Sequence, residues 1–124
     1  MVLIIGGAYQ GKLDFAKSTF DLSESDIFTC TGGEIDFSKR CIDHIEEFTL
    51  WCVQSGVDAV EFFRSCRERW QDSILICEDI SAGVVPMGAE MREWRQMNGL
   101  LCRYLSGEAA RVSRLFCGLE ERLK

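Results

Sequence analysis

Seven residues near the N-terminus, Gly6-Gly7-Ala8-Tyr9-Gln10-Gly11-Lys12, combine the types and spacing needed to hold a phosphate group. Glycines let successive backbone N–H groups curl around an anion, and a helix that follows aims its positive end at the same point. Lys12 is placed to reach the outer phosphates of a nucleotide. The spacing Gly6-x-x-x-x-Gly11-Lys12 is that of a Walker A turn up to its last position. There Leu13 stands in place of the Ser or Thr whose hydroxyl binds Mg²⁺. Phosphate binding relies on the backbone and Lys12 and survives that change. Metal-assisted phosphoryl transfer is weakened by it. The expected phosphate-binding residues are therefore Gly6, Gly7, Ala8, Tyr9, Gln10, Gly11, Lys12 and Leu13, with GTP or ATP as the ligand.

A second chemical signal follows Ser73-Ile-Leu-Ile-Cys77, an apolar run that ends in Glu78 and Asp79. An acid at the end of a buried strand holds Mg²⁺ directly or through water. Side chains alternate along a strand, so only one of the two acids points into a shared site. The single histidine, His44, has two readings. As a neutral imidazole near a phosphate it is a candidate nucleophile for a nucleotidyl group. On a helix capped by Asp36 or Ser38 and running to about Gln54 it falls instead with Glu47 and Trp51, on the surface and with no orienting partner. Arg92 and Arg95 lie one turn apart on a later helix, where they could clamp a phosphate or a substrate side chain.

These residues need a scaffold. Val2–Ile5 is an unbroken apolar run suited to a strand buried on both faces of a parallel sheet. Helical character follows from Lys12 to Ser18, then a polar loop over residues 21–26, and a second strand from Ile27 to Thr31. In the helix ending near Gln54, Cys41, Ile45, Phe48 and Cys52 form a buried stripe, with Gly56 as its stop. Asp58 caps a helix from Ala59 to about Trp70. A glycine- and proline-containing loop, 81–86, precedes a helix from Ala89 to about Ser106. Trp94, Met97, Leu101 and Leu105 share one of its faces, and Gly107 ends or bends it. Trp94 is expected in the core or at a subunit interface. Arg111 to Cys117 alternates as a last strand. Strands separated by helices predict one α/β domain over residues 1–124, with helices on both faces of the sheet. The phosphate turn makes this a P-loop NTPase-like (RecA-like) three-layer fold with a small, mostly parallel sheet.

The 124 residues carry a formal charge of −6, which argues against a general role on nucleic acid or an anionic membrane. No segment approaches the roughly 20 apolar residues of a membrane span. The N-terminus has neither a basic n-region nor a cleavage site, so a cytoplasmic location is expected. The seven cysteines include no Cys-x-x-Cys pair, and a metal site made of protein ligands alone is not expected. Cys77 and Cys117 lie in apolar runs and read as small core residues.

The downstream pieces narrow the reading. Glu78-Asp-Ile-Ser-Ala-Gly-Val-Val-Pro86, Arg92-x-x-Arg95-x-x-x-Gly99, Phe116-Cys-Gly118 and Leu123-Lys124 follow the opening turn in order. In order and spacing the chain resembles the bifunctional adenosylcobinamide kinase/guanylyltransferase family. That family carries Gly-Gly-Ala-x-x-Gly-Lys-Ser, an Asn-Glu-Val-Gly-x-Gly-Ile-Val-Pro loop and an Arg-Asp-x-x-Gly-x-x-Asn-Gln helix. The resemblance implies phosphates on Gly7 to Lys12 and the loop glutamate's place at Asp79. Gly83, Val85 and Pro86 match the loop, and Arg92, Arg95 and Gly99 match the helix. It implies a cobalamin-biosynthetic context with adenosylcobinamide as a corrinoid partner, and a homo-oligomer. Departures are Leu13 for serine, Glu78 for asparagine, Ser81 for glycine, Gln96 for aspartate, and Cys102-Arg103 for Asn-Gln. The chain is also shorter than the family pattern between the second strand and Ser73. The family's guanylylated histidine and its Arg-Pro companion belong to that region, and His44 is the one histidine near it. The expectation is a nucleotide-binding protein with weakened or lost catalysis, or a P-loop pseudoenzyme acting as a partner subunit.

Overall fold

The computed structural model describes residues 1–80 and 88–124. The loop residues singled out above, Ser81, Gly83, Val85 and Pro86, lie outside the described residues. The chain forms a six-stranded sheet in the order β2-β3-β4-β1-β5-β6. Its strands are β1 (Val2–Gly6), β2 (Ile27–Thr29), β3 (Cys41–Asp43), β4 (Ile74–Glu78), β5 (Arg111–Phe116) and β6 (Leu119–Arg122). All pairings are parallel except β5 with β6, which is antiparallel. The α/β class and the mostly parallel sheet flanked by helices agree with the reading of the strand and helix patterns.

The apolar runs of β1 and β4 have no polar face because both of their faces are covered. Leu3, Leu75 and Cys77 join one core, while Ile4, Ile74 and Ile76 join the other. Helix α1 (Lys12–Phe20) closes the second core with Ala16, Leu13, Phe15 and Phe20. Helices α2 (Ile45–Ser55), α3 (Ala59–Ser65), α4 (Arg67–Trp70) and α5 (Ala89–Glu108) cover the first. Phe48, Phe63 and Trp70 form the aromatic centre of that larger core, with Phe48 and Phe63 ring centroids 5.7 Å apart in an edge-on arrangement.

The order of the strands matters more than their number. The chain leaves β1 through α1 to reach the far edge, then returns strand by strand to β4. It next crosses over β1 through α5 to reach β5. The direction of winding therefore reverses at β1. In open α/β sheets the crevice beyond the carboxyl ends of the strands at such a reversal is where ligands bind.

Several elements differ from the expectation. The helix expected from Asp36 or Ser38 starts only at Ile45, because Cys41-Ile42-Asp43 pairs as a strand with both β2 and β4. Cys41 faces the α1-side core and Ile42 the other, a period of two. Cys41 shares only its spacing with Ile45, Phe48 and Cys52, and the last three alone form the helical stripe. The helix 59–70 is broken at Cys66, whose φ of −125° leaves the helical region and divides it into α3 and α4. Gly107 is the penultimate residue of α5, which closes one residue later, at Glu108. Cys117 is no core residue. It is exposed at φ 50°, followed by Gly118 at φ 76°, and these two positive φ values make the tight turn of the β5–β6 hairpin. The stops at Gly56 and the cap at Asp58 stand as expected. Asp58 accepts from the Val60 and Glu61 N–H groups at 3.0 and 3.2 Å.

Candidate functional site

Strand β1 ends at Gly6 because nothing larger fits there. A Cβ on Gly6 would lie 2.7 Å from the Leu115 carbonyl oxygen of neighbouring β5. The chain then turns through Gly7, Ala8, Tyr9 and Gln10 to Gly11, the N-cap of α1 at φ 88°. Gly11 has no side chain to cap the helix, and among the described residues no side chain caps the N–H groups of its first turn. Open donors at a helix N-terminus make a site for an anion. Lys12 adds the formal charge. Its Nζ folds back over the turn to the Gly7 carbonyl at 2.6 Å, which holds the ammonium over the same ring of donors.

A cavity of about 590 Å³ opens beside this turn, lined by residues 8–14 together with Asp43, His44 and Glu78. The glycine turn and an acid of β4 meet here, as their motifs predict. Gly6 is in register with Glu78, whose side chain lines the cavity. Asp79 is exposed, and its backbone N–H donates to the Gly6 carbonyl at 2.7 Å, extending the pairing of β1 with β4. Alternation thus selects Glu78 from the acidic pair. Arg92 is exposed and Arg95 half-buried in the first turns of α5; neither is among the described residues lining this cavity.

Two acids of the site were missed from sequence. Asp43 ends β3 and is 4% exposed, at the mouth of the cavity. Burial pushes its carboxyl above the usual range, and the neighbouring Glu46 charge pushes the same way. His44 and Lys12 pull against them without prevailing. The available signal was an apolar pair, Cys41-Ile42, running into an acid, the same pattern that marked Glu78.

Glu46, 2% exposed, is the second. Its Oε1 accepts from the Glu78 backbone N–H at 2.8 Å, and its Oε2 lies 2.7 Å from His44 Nδ1. One buried carboxylate therefore ties the end of β4 to the histidine after β3. Around it, Trp94 Nε1 of α5 donates to the Glu46 carbonyl at 2.8 Å, and Thr49 Oγ1 donates to Asn98 Oδ1 at 2.9 Å. Asn98 Nδ2 returns to the Glu78 carbonyl at 3.1 Å. Trp94 is thus bound to α2 within the fold.

His44 is exposed, as the surface reading expects, but it precedes the helix instead of lying on it beside Glu47 and Trp51, and it does have orienting partners. It occupies a left-handed position, φ 58° and ψ 45°, between β3 and α2. Its N–H donates to Asp43 Oδ1 at 2.8 Å, and its Nε2 lies 3.7 Å from Asp43 Oδ2. Burial draws the imidazole pKa down. The hydrogen bond to Glu46 and the charges of Asp43, Glu46 and Glu78 outweigh it, so the ring is held above its ordinary value. Glu46 holds the ring at Nδ1 and Asp43 lies on its Nε2 side, so two acids orient the imidazole beside the cavity.

The arrangement can therefore hold a phosphate-like anion on one wall and present two carboxylates and an oriented imidazole on the other. Among the described residues no group of three or more His, Cys, Asp or Glu side chains is placed to hold a metal ion alone. All seven cysteines are free thiols. No described helix is long and apolar enough to cross a membrane. Neither the known protein-family models nor the curated proteins give a match to this chain.

Proposed function

We propose that this chain binds a nucleoside triphosphate, GTP or ATP, with its phosphates on the Gly6–Leu13 turn, in a fold of the P-loop NTPase, RecA-like kind. One observation carries the reading. A glycine turn, a helix N-terminus with no side-chain cap and Lys12 meet at the carboxyl end of β1, where the sheet reverses, in one cavity with Asp43 and Glu78. In this reading the chain is a short, diverged relative of the adenosylcobinamide kinase/guanylyltransferase family, cytoplasmic and oligomeric, with weakened or lost catalysis.

Mg²⁺, when bound with such a nucleotide, neutralises phosphate charge during transfer. The residues present fit a hydrated ion shared with the phosphates. Asp43 and Glu78 both line this cavity, and their carboxylates would hold it. Position 13 gives no help, since Leu13 packs against the core beneath α1. That packing favours the second reading, a nucleotide-binding partner subunit without turnover.

Calorimetry with GTP and ATP, with and without Mg²⁺, tests the binding. Lys12→Ala removes a charge-assisted contact of about 2 kcal/mol, so affinity drops roughly thirtyfold. Equal binding by the variant and the parent overturns the site. Phosphorylation of adenosylcobinamide by the parent supports the kinase reading. Mg²⁺-independent binding without product supports the partner subunit, and turnover gained by Leu13→Ser supports a degenerated enzyme.

A further inference from the structure

The rim of the phosphate turn carries side chains that neither the phosphate site nor the acids use. Gln10 joins the turn to the β5–β6 hairpin. Its carbonyl accepts from the Gly118 N–H at 3.0 Å, and its Oε1 accepts from the Cys117 N–H. A Cβ on Gly11 would lie 3.5 Å from Gly118 Cα, so the turn and the hairpin run close to each other. On that hairpin tip Phe116 and Leu119 are cross-strand partners, which puts their side chains next to each other on one face. They are 63% and 72% exposed, and Tyr9 at the apex of the turn is fully exposed. Three large side chains are thus left in water, one on the glycine turn and two on the hairpin bonded to it. Scattered exposed apolar residues need no explanation, but a cluster joined to a ligand site marks a binding surface.

A second copy of the chain is a poor occupant. Antiparallel pairing of β6 with itself about its centre would set Glu120 opposite Glu121, and like charges directly opposite destabilise a sheet. Those acids already pair within the chain, Glu120 with Arg111 at 2.6 Å and Glu121 with Arg114 at 3.2 Å. A nucleotide anchored by its phosphates on the turn is a better one. Its base must rest on a neighbouring surface, and the hairpin tip is the neighbour hydrogen-bonded to the turn.

We infer that the β5–β6 hairpin tip is the base subsite of this nucleotide, with Phe116 and Leu119 as the surface on which a purine stacks. This rests on the phosphate reading of the Gly6–Leu13 turn. Stacking reads the flat face of a base and not its hydrogen-bonding edge, so ATP and GTP bind with similar affinity. A stacked base is worth about 1–3 kcal/mol, which corresponds to roughly 5- to 150-fold in affinity.

The test compares inorganic tripolyphosphate, ATP and GTP by calorimetry on the full chain and on a Phe116→Ala/Leu119→Ala variant. Both residues are exposed, so the fold is retained, and tripolyphosphate binding reports that directly. The expected result is parent affinity for ATP and GTP about tenfold or more above tripolyphosphate, and loss of that margin in the variant with tripolyphosphate unchanged. Parent preference for nucleotide that the variant keeps overturns the subsite and leaves the phosphate site standing. So does a parent that binds all three ligands equally. A parent that binds none overturns both readings. If the parent sediments as an oligomer and the variant as a monomer with its nucleotide margin intact, the tip is an interface between copies and the inference is wrong.

Discussion

Asp43→Asn should make the ligand-free protein more stable. The carboxylate of Asp43 is buried at the end of β3, with Glu46 as a like charge nearby and a half-exposed imidazole as its closest cation. An ion taken out of water costs several kcal/mol even after relaxation, and its mutation to a neutral isostere recovers part of that. Asparagine keeps an oxygen for the His44 N–H, now 2.8 Å from Asp43 Oδ1, so that hydrogen bond is weakened and not lost. Setting a loss of about 1 kcal/mol there against a desolvation gain of about 2–3 kcal/mol leaves a net gain of about 1–2 kcal/mol. For a domain of this size that raises the melting temperature by roughly 3–10 °C.

The pH dependence supplies a sharper signature. The carboxyl of Asp43 titrates above its ordinary 3.8 in the folded state. It therefore favours folding below that value, and the benefit disappears as pH rises through the folded pKa. The parent thus carries a penalty at neutral pH that the variant lacks, and the two should converge near pH 4 and below. Thermal melts of both proteins across this range, followed by circular dichroism, decide the matter. A variant that melts below the parent at pH 7, or differs from it equally at every pH, refutes the reasoning. The same substitution should weaken the dependence of nucleotide binding on Mg²⁺, the usual exchange of stability for function at a charged site.

Glu46→Gln keeps the shape of the carboxylate that bridges Glu78 and His44 but removes its charge. The His44 pKa, read from imidazole proton shifts, should fall. Since that pKa is raised in the fold, the pairing adds stability below 6.5 and loses it as pH rises through the folded value; the variant should flatten that part of the stability profile. An unchanged titration would mean that Asp43 and Glu78 alone set the ring. Gly6→Ala forces a methyl against the Leu115 carbonyl, and urea unfolding should show a loss of about 1–3 kcal/mol. A neutral result would show that β5 can move aside. Thiol labelling followed by mass analysis should modify Cys117 first, because it is exposed, while Cys30, Cys41 and Cys52, each pushed by burial to about 12, react only after unfolding. Early labelling of any of those three would contradict their burial.

What could be read ahead of the structure was local. An unbroken apolar run marks β1 and β4 because both faces are covered, and Gly56 and Asp58 act on the nearest turn of backbone. What was missed depends on distant partners. The three residues of β3 hold their strand because β2 and β4 flank them, and no window of that length distinguishes them from the start of a helix. Glu46 falls in the first turn of α2, where an acid is ordinarily solvent-exposed. It is buried because the Glu78 N–H and the His44 ring need an acceptor there. Spacing alone puts His44 on a helix for the same reason; its partners come within reach because the strand ends at Asp43. Cys117 breaks its strand by taking the first left-handed position of a turn that the usual Asn-Gly pair would have announced.

The placement of β1 also sets the order in which the domain can assemble. Leu3 pairs with Leu75 on one side and Val112 on the other, so the strand that carries the glycine turn has no hydrogen-bonded neighbour close to it in the chain. Pairings between such distant segments close late and slowly. During synthesis the turn emerges ahead of every strand that shapes it. Gly6 has no carbonyl to abut until Leu115 arrives, and Gln10 has no hairpin to grip until Cys117 and Gly118 are made. A nascent chain stopped short of β5 would hold these same glycines without a defined cradle, so ligand capture on the ribosome would report completion of the last hairpin.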